Sequence, residues 1–328
     1  MRALIKGAGV AGLTLALELA RRGIEVHVVE RAGAVATGAS GLAGGMLAPW
    51  CERESADEMV LTLGRTAADW WEEALPGQVI RDGTLVVAAD RDTGELTRFA
   101  GQTSGCGWLD GAGIEALEPS LGGRFRRALF FRDEAHLDPR QALAGLYRLL
   151  LERGVHFRFG CDAEDVEGSF DKVIDCTGAA AIGRATDLRG VRGEMLFLET
   201  SEISLSRPVR LLHPRIPLYV APRGDDRFMV GATMIESDDA GPISARSLME
   251  LLNAAYALHP GFGEARVVEM GVGVRPAYPD NLPRVTVEGN RISVNGFYRH
   301  GFLLAPAMAG QVAAILTDST PNRERHCA

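Results

Sequence analysis

The chain has 328 residues, enough for a substantial core in one large domain or two interleaved domains. Its 35 basic and 43 acidic residues give a net charge of -8, which argues against a nucleic-acid partner because the phosphate backbone favours a basic surface. Five scattered cysteines without C-x-x-C spacing predict neither a disulfide framework nor a metal site, and no apolar run approaches the roughly 20 residues that cross a bilayer. We therefore expect a cytoplasmic protein without a membrane partner.

The first thirty residues carry the pattern of a dinucleotide-binding βαβ unit. A short apolar strand precedes a G-x-G-x-x-G turn, a helical run follows, and Glu30 ends the next strand. Gly7 permits the tight turn, Gly9 leaves room for a pyrophosphate, and Gly12 lets helix and strand pack closely. The helix N-terminus would bind the phosphates, and Glu30 would accept hydrogen bonds from ribose hydroxyls. The expected cofactor contacts of this unit are Gly7, Gly9, Val10, Ala11, Gly12 and Glu30.

Small residues dominate the segment that follows. Residues 33–47 are mostly glycine, alanine and hydroxyl residues, without a charge. Such a backbone can lie against a flat ligand and donate N–H groups to it, whereas the alternative is a flexible surface linker. Leu42, Met46 and Leu47 favour the first interpretation. The expected cofactor contacts here are Arg31, Thr37, Ala39, Ser40, Gly44, Gly45 and Met46.

Residues 56–137 depart from the nucleotide-binding pattern. An amphipathic helix is predicted over 56–75, a strand over 83–89, and a helix over 111–121 with a turn at Pro119. The candidate core positions of the first helix are Met59, Leu61, Leu63, Trp70 and Trp71.

From Asp138 the chain returns to the first pattern. Asp138 and Pro139 open a helix through Glu152 as N-cap and first helical residue, and strands are predicted over 155–159 and 171–178. The second of these strands ends at Thr177 and Gly178, which should lie near the nucleotide.

The last third begins with a second departure, of antiparallel character. Strands are predicted over 194–199, 218–222 and 228–233, and Ser244 should cap a helix through Leu258. A strand over 291–296 and an apolar helix within 301–317 follow, and we expect disorder in residues 322–328.

These elements predict an α/β fold. A Rossmann-like dinucleotide-binding domain should be interleaved with an α+β substrate domain on a mainly antiparallel sheet. We assign residues 1–75, 138–190 and 271–328 to the first domain and residues 76–137 and 191–270 to the second.

Five motifs together resemble the D-amino-acid oxidase family of FAD enzymes, and within it the glycine oxidases of thiamine biosynthesis. They are the opening turn, the loop from Thr37 to Met46, Asp175-Cys176-Thr177-Gly178, Gly273-Val274-Arg275-Pro276, and Tyr298-Arg299-His300-Gly301-Phe302-Leu303-Leu304-Ala305-Pro306. The resemblance covers nearly the whole chain. Two positions depart from the family pattern: Lys6 replaces a small or apolar residue, and Pro217 stands where some glycine oxidases have a histidine, which weakens the preference for glycine.

The resemblance gives Arg275 the role of binding a substrate carboxylate. A guanidinium fork can hold a carboxylate by two parallel charge-assisted hydrogen bonds, although a structural ion pair is the alternative. Tyr219 would add a hydroxyl to this site, Met234 an apolar wall, and Arg299 a second charge near the substrate. Each of Tyr219 and Met234 is by itself also a typical core residue.

The resemblance also implies FAD contacts at the C-terminal motif and at the end of the 171–178 strand. They are Thr177, Gly178, Arg299, His300, Gly301, Phe302 and Leu303. Members of the resembled family that bind flavin covalently use a cysteine late in the chain. No cysteine lies between Cys176 and Cys327 here, so the resemblance implies that FAD is bound noncovalently.

The implied activity is oxidation of glycine, or of sarcosine or small D-amino acids, with O2 as acceptor and hydrogen peroxide as product. It further implies a homo-oligomer, such as a tetramer, and a hand-over of the imine to thiazole synthase. Alternatives left open are a dehydrogenase that reduces a quinone, a sarcosine oxidase-like enzyme, a tRNA-modifying oxidase domain, a non-catalytic flavin-binding scaffold and a plain NAD-binding protein.

Overall fold

The computed structural model describes residues 1–161, 167–212 and 218–318. Pro217 and the C-terminal segment for which disorder is expected lie outside these residues.

Strands within the described residues are numbered in chain order. They are β1 (Arg2–Lys6), β2 (Glu25–Glu30), β3 (Met46–Leu47), β4 (Thr84–Ala88), β5 (Gly107–Asp110), β6 (Arg127–Phe131), β7 (Ala135–His136), β8 (His156–Phe159), β9 (Lys172–Asp175), β10 (Arg189–Glu199), β11 (Val209–Leu212), β12 (Leu218–Pro222), β13 (Arg227–Gly231), β14 (Ile235–Glu236), β15 (Arg266–Ala277), β16 (Arg284–Glu288) and β17 (Arg291–Asn295).

The α-helices of the same residues are numbered likewise. They are α1 (Val10–Arg21), α2 (Pro49–Arg53), α3 (Glu58–Gly64), α4 (Ala67–Ala74), α5 (Thr93–Gln102), α6 (Gly111–Leu117), α7 (Pro139–Glu152), α8 (Ala245–Leu258) and α9 (Gly301–Asp318).

The first sheet has six strands in the order β16-β17-β9-β1-β2-β8, parallel except for the β16–β17 pair. Its central strand β1 is buried on both faces, with Ala3, Leu4 and Ile5 fully inaccessible. This explains the unbroken apolar run, because parallel strands are covered on both sides. Helices α1 and α9 pack against each other beside this sheet.

The second sheet has nine strands in the order β14-β10-β13-β12-β11-β4-β6-β5, with β15 paired to β10. All its pairs are antiparallel except β4–β11. Helix α8 packs on this sheet over a separate hydrophobic core that includes Leu196, Val220 and Leu251. The predicted fold class, a Rossmann-like sheet with an interleaved, mainly antiparallel second sheet, is confirmed.

The strands distribute over the two sheets almost as the proposed domains require. Strands β4 to β6 and β10 to β15 form the second sheet, and the remaining long strands form the first. However, β10 begins at Arg189 and β15 ends at Ala277, so the proposed limits at 190 and 271 fall inside strands of the second sheet. We propose the same two domains with limits moved to the ends of these strands.

The prediction of one continuous helix over 56–75 is wrong. The chain forms α3, whose N-terminus is capped by Asp57, and α4, with a break after Gly64. A Cβ at Gly64 would lie 2.7 Å from Leu303 Cγ, so the chain turns where it crosses α9. Met59 is consequently exposed, whereas Val60 and Trp71 are buried, and Leu61, Leu63 and Trp70 are half-buried.

Candidate active site

One cavity of about 570 Å³ extends from the dinucleotide turn to the second sheet. Its lining comes from the carboxyl ends of β1 and β9, the small-residue loop, β12, β15 and the start of α9. The volume is typical of small-molecule and cofactor sites, and its place at the carboxyl ends of parallel strands is where such sheets bind nucleotides.

The dinucleotide turn requires glycine at two positions. Gly7 has φ of 101°, and a Cβ there would lie 2.6 Å from Cys176 O. A Cβ at Gly12 would lie 1.9 Å from Gly7 O, so only glycine lets α1 begin this close to β1. Gly12 therefore shapes the turn without lining the cavity, whereas Gly7, Gly9, Val10 and Ala11 line it.

Glu30 joins the two loops that frame this end of the cavity. Its Oε2 accepts a hydrogen bond from Ala8 N at 2.8 Å, and its Oε1 accepts one from Ala32 N at 2.8 Å. A carboxylate oxygen can accept more than one hydrogen bond, so the residue retains acceptor capacity toward a ribose. The neighbouring Ser40 Oγ accepts from Val10 N at 3.1 Å and attaches the small-residue loop to the start of α1.

From Gly41 to Gly45 the small-residue loop is packed too tightly for larger side chains. A Cβ at Gly41 would lie 1.9 Å from Ala36 O, and one at Gly45 would lie 2.1 Å from Leu137 O. A Cβ at Gly44 would lie 2.6 Å from the ring of Tyr219. This part of the loop is thus packed between the start of α7 and β12, which is inconsistent with a flexible surface linker.

The residues that follow β9 form another part of the cavity wall. Asp175 Oδ1 accepts hydrogen bonds from Thr177 N at 2.9 Å and Thr177 Oγ1 at 2.6 Å. Gly178, with φ of 61°, turns the chain, and Asn295 Nδ2 donates to its carbonyl oxygen at 3.0 Å. Lys6 pairs in register with Asp175, so the polar residue at the end of β1 lies beside an acidic residue of the next strand.

Arg275 lies at the opposite end of the cavity. Its guanidinium lies directly over Gly193 of the paired strand, where a Cβ would be 2.3 Å from Arg275 Cζ. One NH1 hydrogen bond to Thr233 O, at 3.0 Å, fixes its orientation. Burial lowers the pKa of Arg275, and within the described residues its NH2 group has no hydrogen-bond partner. A half-buried guanidinium with donors directed at a cavity is suited to a carboxylate.

Tyr219 lies beside this arginine. Its ring packs on Gly44, and its hydroxyl lies near Gly231, where a Cβ would be 3.3 Å from the oxygen. Burial raises the pKa of Tyr219, so the hydroxyl keeps its proton at neutral pH and can donate a hydrogen bond.

Arg299 is more constrained than the sequence suggests. Its Nε lies 2.8 Å from Glu52 Oε2, its NH2 donates to Ser55 Oγ at 2.7 Å, and its NH1 donates to Met234 Sδ at 3.4 Å. Tyr298 Oη also donates to this sulfur, at 3.3 Å. Arg299 therefore links α2 to the segment after β13, and Met234, 43% exposed, forms a wall at the edge of the cavity.

Glu52 is the principal residue that the sequence reasoning missed. Its buried carboxylate pairs with Arg299, with His300 Nε2 at 2.9 Å, and with Arg210 NH1 at 3.6 Å. Burial alone would raise the pKa of Glu52, but Arg299, His300 and Arg210 outweigh it and hold that pKa below its usual range. Because a carboxylate can only accept, His300 donates from Nε2, and burial lowers the pKa of this ring so that it is neutral.

Glu134 is a second buried carboxyl group near Glu52. Glu134 Oε1 accepts a hydrogen bond from Cys51 N, at 2.7 Å, at the start of α2. Burial raises the pKa of Glu134 to about 8, so it carries a proton at neutral pH. Glu134 thus holds the short helix that positions Glu52 without adding a further negative charge.

The cavity brings together nearly all the residues proposed from the sequence. Those that line it are Gly7, Gly9, Val10, Ala11, Glu30, Arg31, Thr37, Ala39, Ser40, Gly44, Gly45, Met46, Thr177, Gly178, Tyr219, Met234, Arg275, Arg299, His300, Gly301, Phe302 and Leu303. Glu52, Gly193 and Arg210 line it as well and were not predicted. Glu52 was detectable as the first charge after the small-residue loop, whereas nothing in the local sequence singles out Gly193 or Arg210.

The described ranges contain neither a metal-binding cluster nor a membrane-spanning helix. No group of three or more His, Cys, Asp or Glu side chains in them is placed to hold a metal ion. None of the helices in the part of the chain that the structure describes is long and apolar enough to span a membrane.

A dinucleotide turn and a group of arginines at opposite ends of one cavity are typical of a cofactor-dependent enzyme. The chain belongs to the DAO family of FAD dependent oxidoreductases, whose model matches residues 2–315. Its cofactor is FAD, and the glycine turn, with no space for a Cβ at Gly7 or Gly12, fits that group.

Individual relatives agree with this family. The chain is 69% identical, over the full length of both proteins, to the oxidoreductase ThiO assigned to thiamine biosynthesis in Rhizobium etli. It is 26% identical to a glycine oxidase of Bacillus licheniformis, covering 95% of this chain and 92% of that protein. It is 27% identical to the bifunctional ThiO/ThiG protein of Nostoc, of which it spans about half the length, 52%. The crystal structure of glycine oxidase from Geobacillus kaustophilus has the same fold, with a TM-score of 0.80 at 22% identity over all of both chains.

Proposed function

We propose that the protein oxidises glycine, and secondarily sarcosine or small D-amino acids, to the imine. The observation that carries the proposal is Arg275, which lies half-buried over Gly193. Thr233 fixes its orientation, and its NH2 group has no hydrogen-bond partner within the described residues. A carboxylate bound by this fork and by the Tyr219 hydroxyl is fixed in position and orientation. The relatives named as glycine oxidases and thiamine biosynthesis oxidoreductases support the same substrate class.

The charges at this end of the cavity suit a substrate with one carboxylate. Arg275, Arg210 and Arg299 carry three positive charges and Glu52 one negative charge, while His300 and Glu134 are neutral for the reasons given above. A substrate carboxylate would balance one of the two remaining positive charges. The other would favour negative charge that develops on the cofactor during reduction.

Protein acid–base chemistry has a small part in this proposal. FAD, when bound, accepts a hydride from the substrate Cα and passes its electrons to O2, with hydrogen peroxide as product. The residues of the chain hold the carboxylate, close the pocket with Met234 and Tyr219, and orient the Cα–H bond. Fixing a near-attack geometry in this way removes much of the entropic barrier.

The wider assignments follow from the relatives. We propose that FAD is noncovalent, that the enzyme works in the cytoplasm as a homo-oligomer, and that its imine product is passed to thiazole synthase. The support is the ThiO assignment of the Rhizobium etli relative and the fusion of ThiO to ThiG in the Nostoc relative.

The decisive experiment uses the purified holoprotein with glycine, sarcosine, D-alanine and L-alanine. We expect glycine to bleach the flavin absorbance without oxygen, and to yield one peroxide per imine in air. Bleaching without peroxide in air would favour the dehydrogenase alternative. If none of the four amino acids bleached the flavin, the proposed substrate class would be wrong.

A further inference from the structure

Arg223 binds the small-residue loop from the side away from the cavity. Its NH2 donates to Gly44 O at 2.7 Å and lies 3.4 Å from Ala43 O. Its side chain is only 4% exposed, and its Nε lies 3.8 Å from Asp138 Oδ2. Gly44 and Gly45 line the cavity, whereas Arg223 does not. The guanidinium therefore contacts the outer face of a backbone whose inner face forms the site.

This contact fixes the direction of one peptide group. The Gly44–Gly45 peptide is trans, so its C=O and N–H bonds point in opposite directions. Since the carbonyl points to Arg223, the Gly45 N–H points toward the cavity side. Within the described residues that N–H donates no hydrogen bond. Backbone donors are rarely left unpaired, so this donor indicates a partner in the bound ligand.

The neighbouring contacts hold the same segment from two more sides. Leu137 N donates to Gly45 O at 3.0 Å, and Arg140 Nε donates to Gly41 O at 2.9 Å. Arg140 is itself fixed by Glu269 through two hydrogen bonds. The inner face of Gly44 meets the ring of Tyr219 in β12, and Arg223 directly follows that strand.

We propose that Arg223 is a positioning residue for the cofactor: by binding the Gly44 carbonyl it aims the Gly45 N–H at the FAD. Arg140 holds the Gly41 carbonyl of the same loop, and its effect on the cofactor should be smaller because its side chain is 42% exposed. The role rests on FAD as the cofactor and is independent of which amino acid the enzyme oxidises.

The test is a titration of apoprotein with FAD in the absence of any amino acid, followed by quenching of flavin fluorescence. In Arg223→Met the peptide loses a charge-assisted hydrogen bond, and we expect the dissociation constant of FAD to rise about tenfold. Arg223→Lys keeps a charged donor but not the fork, and should lie between wild type and Arg223→Met. Arg140→Met should weaken binding by about threefold.

The matched control is Arg227→Met. Arg227 is an exposed arginine of the adjacent strand β13 that pairs with Glu199, and its loss should leave FAD affinity unchanged. Thermal unfolding of each apoprotein identifies variants that fail to fold, and if Arg223→Met is one of them, Arg223→Lys decides. Wild-type FAD affinity in a folded Arg223 variant would overturn the proposal.

Discussion

The two ends of the cavity differ in whether backbone or side-chain atoms form them. The dinucleotide end is backbone: a glycine turn, the first amides of α1 and a loop of small residues, with Glu30 as the acidic residue that joins them. The other end, called the amino-acid end after the substrate proposed for it, is formed by side chains. Arg275, Tyr219, Arg299 and Glu52 meet there from distant segments. Backbone sites tolerate little change of shape, whereas side-chain sites are sensitive to charge, and this difference can be tested at single positions.

The largest effect is expected at the amino-acid end. Arg275→Met removes two charge-assisted hydrogen bonds to the carboxylate, each about 1.5–3 kcal/mol, so kcat/KM for glycine should fall about 1000-fold. FAD content, measured by absorbance, should be unchanged because the dinucleotide end is intact. Arg275→Lys, which keeps the charge without the fork, should recover only part of the loss. An unchanged KM in Arg275→Met would remove this residue from the substrate site.

The dinucleotide end should respond to shape. Gly12→Ala places a Cβ 1.9 Å from Gly7 O, and the overpacking should weaken FAD binding by about 100-fold in a flavin titration. Gly33→Ala is the control, because no atom lies within 4 Å of a Cβ at Gly33. Equal FAD affinity in the two variants would contradict the close packing of α1 on β1.

The free energy of unfolding should depend on pH through Glu134, the buried carboxyl group near the amino-acid end. Glu134 keeps its proton up to about pH 8 in the folded state, whereas its pKa in the unfolded chain is about 4.5. The free energy of unfolding should therefore decrease as the pH rises from about 4.5 to 8. Glu134→Gln keeps an acceptor for Cys51 N but cannot ionise, so it should be the more stable protein at pH 8.5, by about 2 kcal/mol.

Urea denaturation at pH 5 and pH 8.5 measures this difference. The exposed Glu264→Gln should follow the wild type at both values. Parallel pH profiles for wild type and Glu134→Gln would mean that Glu134 is ionised in the folded protein.

The smallest effect is expected at the wall of the pocket. Met234→Ala removes a half-exposed side chain whose sulfur accepts two weak hydrogen bonds, so KM for glycine should rise only about threefold. The space gained should raise kcat/KM for larger D-amino acids relative to glycine. Met234→Leu, of similar volume, should retain the preference of the wild type. An identical substrate profile in Met234→Ala would exclude Met234 as a size limit.

Much of the dinucleotide end was predictable because its chemistry is local. A turn that needs glycine for a left-handed φ or a close approach carries the requirement in its own few residues, as at Gly7 and Gly12. The helix over 56–75 failed for the opposite reason. Its periodicity is genuine, but the helix breaks after Gly64, which packs against Leu303, about 240 residues away in the sequence.

The sequence by itself determined the class of fold, the dinucleotide turn, the small-residue loop and, through family motifs, the position of Arg275. Only the tertiary structure showed that Gly193 provides the space for that arginine, that Glu52 binds Arg299, His300 and Arg210, and that Arg223 holds the loop from behind. The physical reason is that a buried charge needs a partner to offset its desolvation. Partners separated by 100 or more residues leave no periodicity or spacing in the sequence, because folding alone brings them together.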